Sequence, residues 1–179
     1  MQTPAAAESF PAGEESLRGL HRLDPDRAVQ HLPRLYRAAR AWSGSRDEAD
    51  DLVQETYARV LARPRFLRGE DELGYLLRAL RNTLVSQHRA RTRRPATTPL
   101  DEDIGVRSRF GDDPAEAAET REVYAAVHGL PEEFRDALVA VDIVGLSYGE
   151  AARALGVPEG TVTSRLARAR DRVGERLRQ

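Results

Sequence analysis

Apolar residues recur along this chain at intervals of three and four, the spacing of helix faces. From Arg27 to Trp42 the positions Val29, Leu32, Leu35, Tyr36 and Ala39 share one face, and Ser43-Gly44 closes that predicted helix. Ser45 with Glu48 three residues later has the form of a capping box. The pairs Leu52/Val53, Thr56/Tyr57 and Val60/Leu61 then give a second helix its apolar face, until Pro64 breaks it. Arg65–Glu70 reads as a short basic loop. A third long helix follows from about Asp71 to Arg91, with Leu73, Leu76, Leu77, Leu80 and Leu84 inside. It ends in a cluster of Arg89, Arg91, Arg93 and Arg94 just before Pro95. No segment alternates with a period of two, so the expected fold class is all-α.

Two stretches lack this periodicity. Residues 1–26, with Pro4, Pro11, Gly13, Gly19 and Pro25, read as a disordered leader. Residues 95–114, with Pro95, Pro99, Gly105, Gly111 and Pro114 among acids, read as a flexible acidic linker. The expected organisation is therefore two small helical domains, at 27–94 and 115–179.

The second domain carries a local signature. In SYGEAARALGVPEGTVTSRLARARDRV (147–173), Ser147 and Glu150 form another capping box, Gly156 suits a left-handed helix end, and Pro158 suits the start of the next helix. Ala152, Gly156 and Val162 are the small, turn and β-branched positions of a helix-turn-helix. On its second helix Val162, Leu166, Ala169 and Val173 face inward. Ser164, Ala167, Arg168 and Asp171 face outward, flanked by Thr163, Arg165, Arg170 and Arg172. Small residues with arginine form a surface suited to a major groove, because arginine pairs bidentately with guanine and methyl groups meet thymine methyls. A plain helical hairpin with a solvated arginine face is the structural alternative.

Charge sharpens the picture. The 179 residues carry 28 basic and 29 acidic side chains, a net −1, and every basic residue is arginine. By segment the net charge is −3 (1–26), +2 (27–63), +5 (64–94), −5 (95–120), −3 (121–157) and +3 (158–179). Two basic zones separated by an acidic stretch suggest two anion-facing surfaces on a chain that also meets proteins. There is no cysteine, which excludes disulfides and thiol chemistry. The N-terminus has neither the basic nor the apolar region of a signal peptide. No run reaches the ~20 apolar residues of a membrane helix. His21, His31, His88 and His128 are scattered without metal-ligand spacing, and no Gly-rich phosphate loop occurs. No catalytic constellation, cofactor site or metal site is expected.

Asp47, Asp51 and Glu55 lie four residues apart on one face of the second helix. A solvated face, a divalent-metal site and a docking surface for a basic partner all remain open at this point. A single helix rarely supplies a whole oxygen-ligand cage.

Three segments in order, DEADDLVQET, YLLRALRNTLVSQHRARTRR and LPEEFRDALVAVDIVGLSYGEAARALGVPEGTVTSRLARAR, resemble the extracytoplasmic-function sigma factors of the sigma-70 family. The resemblance covers about residues 28–94 and 116–176. It implies an alternative sigma factor that binds core RNA polymerase through the clamp of the β′ subunit and directs promoter recognition, −10 melting and transcription initiation. It implies docking by Asp47, Asp51, Leu52, Gln54 and Glu55. It implies −10 DNA reading by Arg65, Phe66, Tyr75, Arg78, Asn82, Arg89 and Arg91. Thr163, Ser164, Arg165, Ala167 and Arg168 match the −35 reading positions, with Arg165 on a phosphate. Tyr75 stands where the family commonly has Trp, and Thr163 where it often has Arg or Lys. An anti-sigma factor is an implied partner, the implied location is the cytoplasm, and no enzyme activity is implied. A stand-alone helix-turn-helix regulator and a sigma-like decoy for an anti-sigma factor are the alternatives.

Overall fold

The computed structural model describes residues 20–62, 66–68, 72–93 and 114–178. Arg65, nearly all of the expected linker and most of the expected leader lie outside these residues. The N-terminal unit holds α1 (Pro25–Gln30), α2 (Leu32–Trp42), α3 (Arg46–Ala62) and α4 (Glu72–Arg93). The C-terminal unit holds α5 (Pro114–His128), α6 (Glu132–Leu138), α7 (Tyr148–Leu155) and α8 (Glu159–Leu177). The fold is all-α, apart from one antiparallel ribbon among the described residues. In it β1 (Leu20–Arg22) pairs with β2 (Phe66–Arg68) in the register Leu20↔Arg68, His21↔Leu67, Arg22↔Phe66. Strands of three residues are too short for a period of two to show in sequence. The ribbon places ordered chain inside the stretch read as leader, and a strand inside the stretch read as a basic loop.

The helix expected over 27–42 is divided at His31. Pro33 has no N–H to give the carbonyl four residues back, and its ring crowds that carbonyl, so α1 stops and α2 restarts with Pro33 in its first turn. The short α1 is tied down from two sides. Tyr57 Oη donates to the Ala28 carbonyl at 2.7 Å, and the buried Glu72 carboxylate lies 3.3 Å from Arg27 and 3.6 Å from His31. At the start of α3 the Glu48 N–H donates to Ser45 Oγ, while the Glu48 carboxylate accepts from the Gly44 N–H, one residue before the position a strict capping box uses.

In the C-terminal unit α6 widens into a π-turn over Val139–Ile143 before the chain reverses at Gly145. The predicted caps around α7 are formed. Ser147 Oγ accepts from the Glu150 N–H, the Glu150 carboxylate accepts from the Ser147 N–H, and Gly156 ends the helix at φ 70°. Pro158 caps α8, and Ala151, Ala154, Val162, Leu166 and Ala169 are buried where α7 and α8 meet. This is a helix-turn-helix.

The two units share one apolar core. Leu35, Trp42, Leu52, Leu76 and Leu80 join Phe134, Leu138, Val139, Val162 and Leu166 in a single cluster. A polar clasp crosses the seam. Asp136, 5% exposed, accepts from Trp42 Nε1 at 3.0 Å and from Arg81 Nε at 2.6 Å, and Arg81 Nη2 also donates to Glu132 at 3.0 Å. Arg78 donates to the carbonyls of Arg153 and Ala154 at the end of α7, and the Arg40 guanidinium lies 5.4 Å above the Tyr124 ring.

The caps give a stability prediction. The hydrogen bonds from Ser147 hold the Glu150 carboxyl below its ordinary 4.5. A carboxyl lowered in the folded state contributes stability above its unfolded value and loses it as pH falls through the folded one. Ser147→Ala should cost ~1 kcal/mol in urea unfolding at neutral pH and flatten the acid limb of the pH–stability curve. A Cβ at Gly156 would meet nothing within 4 Å, so Gly156→Ala should cost only the left-handed backbone penalty, ~1–2 kcal/mol.

Candidate functional site

Three surfaces carry the chemistry expected from the sequence. The first is the outer face of α3. Asp47, Asp51 and Gln54 are exposed there. Glu55 is half-buried and engaged, accepting from Gln87 Nε2 at 2.7 Å and pairing with Arg59 one turn on. Leu52 is fully buried in the core, on the apolar face of α3 that the pair Leu52/Val53 marks, and it holds the helix in place there.

The second surface is a cleft between α3 and α4, with a volume of about 330 Å³, lined among others by Thr56, Arg59, Tyr75, Arg78, Asn82 and Ser86. Tyr75, Arg78 and Asn82 come together because they occupy one stripe of α4 at i, i+3 and i+7. Arg59 and Ser86 were missed. Ser86 continues the α4 stripe one turn beyond Asn82, and that spacing could have found it. Arg59 comes from another helix, which spacing cannot register. The cleft offers a phenol ring, a carboxamide, two guanidiniums and hydroxyls at the lower end of the size range for small-ligand pockets. Such groups stack on and hydrogen-bond to an unstacked base. Phe66 lies in β2, near the cleft in sequence, and Arg65 falls outside the described residues. Arg89 and Arg91 are exposed further along α4, and Arg91 pairs with Glu48 at 2.7 Å.

The third surface is α8. Thr163, Ser164, Ala167 and Arg168 are exposed together on its outer face. The Thr163 and Ser164 hydroxyls donate back to the carbonyls of Glu159 and Thr161. Arg165 is half-buried at the edge of this face, with Nη2 3.6 Å from Glu133. Arg170 makes a two-point contact with Asp142, at 3.0 and 2.7 Å, and the Arg172 guanidinium lies 4.7 Å above the Phe134 ring. Both flanking arginines therefore brace α8 against the π-turn and α6, and Asp142 is explained as the anchor for Arg170. Arg168 makes no ion pair with a described residue. Among the described residues no three His, Asp or Glu side chains gather as metal ligands, and no helix is long and apolar enough to cross a membrane.

Residues 28–94 match the family model described as Sigma-70 region 2, and residues 120–173 the one described as Sigma-70, region 4. The chain is 37% identical over 160 residues to the ECF RNA polymerase sigma factor SigE of Mycolicibacterium smegmatis, covering 83% of this chain and 59% of that protein. It is 36% identical over 155 residues to the ECF RNA polymerase sigma factor EcfG of Rhodopseudomonas palustris, covering 85% and 83%. Among solved structures, the sigma factor RpoE in complex with the anti-sigma factor NepR from Bartonella quintana matches at 29% identity and a TM-score of 0.69, over 86% of this chain and 95% of that one. CnrH in complex with the cytosolic domain of CnrY has the same fold, at 24% identity and a TM-score of 0.59, over 85% of each chain.

The two faces of α3 should separate experimentally. Leu52→Ala should lower the unfolding free energy by ~2–5 kcal/mol, as for other buried leucines. Asp51→Ala, one residue away and exposed, should stay within about 0.5 kcal/mol. Chemical denaturation of the two variants side by side checks both.

Proposed function

We infer the function from one premise: the chain belongs to the extracytoplasmic-function sigma factors of the sigma-70 family. It is an alternative sigma factor, which binds core RNA polymerase and directs promoter recognition, −10 melting and transcription initiation. An anti-sigma factor is its third partner. The observation that carries this reading is the order of regions along one chain. A region-2 unit with an acidic helix face and a polar cleft is followed by a region-4 helix-turn-helix with a clear recognition face.

Each surface then has a task. Asp47, Asp51, Gln54 and Glu55 on α3 dock on the polymerase clamp, where a row of carboxylates steers the chain toward a basic patch. The α3–α4 cleft takes a base from the opened −10 strand. Tyr75 supplies a ring for stacking, Asn82 reads a base edge, Arg59 and Arg78 supply charge toward phosphate, and Arg89 follows the backbone. Opening a duplex step costs a few kcal/mol, and stacking returns ~1–3 kcal/mol per base. On α8, Arg168 reads a base in the −35 major groove while Thr163 and Ala167 offer methyl contacts. Arg165, at the rim of the helix, serves a phosphate. The chain itself performs no bond chemistry, which belongs to the polymerase, and it works in the cytoplasm beside it.

Purified chain mixed with sigma-free core polymerase should form a stable complex, and Asp51→Arg combined with Gln54→Ala should abolish it in a pull-down. No complex with the parent chain would remove the sigma reading. A DNA probe can be obtained by enriching random duplex on the holoenzyme. On that probe Arg168→Ala should weaken binding by ~1–3 kcal/mol and relax one position of the −35 element. Asn82→Ala should reduce strand opening, read by permanganate footprinting, while leaving polymerase binding intact.

A further inference from the structure

We propose that the cavity between the α2–α3 turn and the end of α5 is a binding site for a nucleoside polyphosphate. It contains none of the residues given a task above, and it stands independently of the sigma reading.

Small residues leave the space open. Ser43-Gly44-Ser45 turns the chain from α2 into α3 along one wall. On the other wall Ala125 and Gly129 sit one turn apart where α5 ends, the Gly129 N–H donating to the Ala125 carbonyl at 3.1 Å. About 830 Å³ remains between them, more than in the α3–α4 cleft. That volume lies in the upper part of the ~300–1,000 Å³ range of small-ligand pockets, and it exceeds what a bare phosphate needs.

Charge names the ligand. Arg40 of α2, Arg46 at the start of α3, and Arg121 and His128 of α5 all line this cavity, and no described residue that lines it is acidic. Elsewhere the pattern is the opposite: Arg27, Arg59, Arg81, Arg91, Arg165 and Arg170 each face a carboxylate. Glu48 is near enough to feel His128, but its two carboxylate oxygens are already taken by Arg91 at 2.7 Å and by the Gly44 N–H at 3.1 Å. Arg135 adds positive charge beside His128, with Nη1 3.3 Å from Nδ1. Guanidinium only donates, so Nδ1 accepts there and the ring keeps a donor on Nε2. Gathered guanidiniums bind phosphate oxygens in pairs of parallel hydrogen bonds. The half-buried Tyr124 ring lines the same space under the Arg40 guanidinium, 5.4 Å from its centre. Rings and guanidinium planes are surfaces on which a base stacks. Phosphates on Arg46 and Arg121, with the base against Tyr124 and Arg40, use both features at once.

Calorimetric titration of the full-length chain with ATP and with inorganic tripolyphosphate tests this. ATP should bind at a single site, and more tightly than tripolyphosphate. Arg46→Gln/Arg121→Gln should weaken ATP binding about tenfold or more. Arg34→Gln/Arg178→Gln removes the same charge from exposed positions on α2 and at the end of α8, and should stay within about twofold of the parent. Tyr124→Leu should weaken ATP about fivefold or more and leave tripolyphosphate unchanged. Thermal melting followed by circular dichroism checks that each variant is folded before it is titrated, and the comparison of ATP with tripolyphosphate on the parent chain needs no variant. The proposal is overturned if millimolar ATP gives no binding, if tripolyphosphate binds the parent as tightly as ATP, if the Arg46/Arg121 variant binds ATP as the parent does, or if the Arg34/Arg178 variant loses as much.

Discussion

The Asp136 carboxylate is the constraint on which the arrangement of both units depends. Burial, helped by the nearby Glu132, holds its carboxyl above the ordinary carboxylate value, and Arg81 and Trp42 offset only part of that rise. Both of those groups come from the other unit. Taking a charge out of water costs several kcal/mol unless its partners are well placed, and breaking one side of such a pair leaves the remaining charge stranded. Here each carboxylate oxygen has its own donor, Trp42 Nε1 on Oδ1 and Arg81 Nε on Oδ2. Intermediate separations would keep Asp136 dry without its partners. The clasp is therefore stabilising only with all three side chains in place.

Apolar burial works to the same end. Helical units of some 65 residues bury a smaller fraction of their surface than larger domains, and are marginal for that reason. Continuity of one core from Leu35 and Trp42 through to Phe134 and Leu166 adds buried surface that neither unit has by itself. Trp42 links the two terms, since its ring belongs to the core and its N–H to the clasp. The packing of the two units thus gains stability from apolar burial and from the clasp together.

What the sequence disclosed is what local chemistry specifies. The capping box at Ser147, the left-handed turn at Gly156 and the inward face Val162, Leu166 and Ala169 all depend on neighbours within a few residues, and all are formed as read. Tyr75, Arg78 and Asn82 were named through the family resemblance, and their spacing of three and four puts them on one stripe of α4. The break at His31 was also encoded locally, in Pro33, but apolar periodicity ran across it and hid it. The ribbon of β1 and β2 pairs residues 44 to 48 apart through strands too short to carry a pattern. The clasp joins Trp42 to a carboxylate 94 residues away, and nothing near either residue announces the other. Asp142 is a charge in an otherwise apolar run, and only the fold brings Arg170 to it. Leu52, a docking residue by resemblance, is one whose own periodicity assigns it to the core, and it is buried there.

The arginine-only basic complement takes on a second meaning in this light. DNA affinity rises with each phosphate a cation neutralises, through release of condensed counterions. An arginine already facing a carboxylate contributes less to that field. Arg27 faces Glu72, Arg59 faces Glu55, Arg81 faces Asp136 and Glu132, Arg91 faces Glu48, Arg165 faces Glu133 and Arg170 faces Asp142. The exposed pairs among these are individually worth only ~0–1 kcal/mol, so they stabilise the fold little. Their collective effect is on recognition, because they screen the basic zones of a chain whose net charge is −1. Being weak, such exposed pairs give way readily to a competing phosphate. The Arg81 pair differs from the rest in sitting on a buried carboxylate that joins the two units, where water and salt screen it far less.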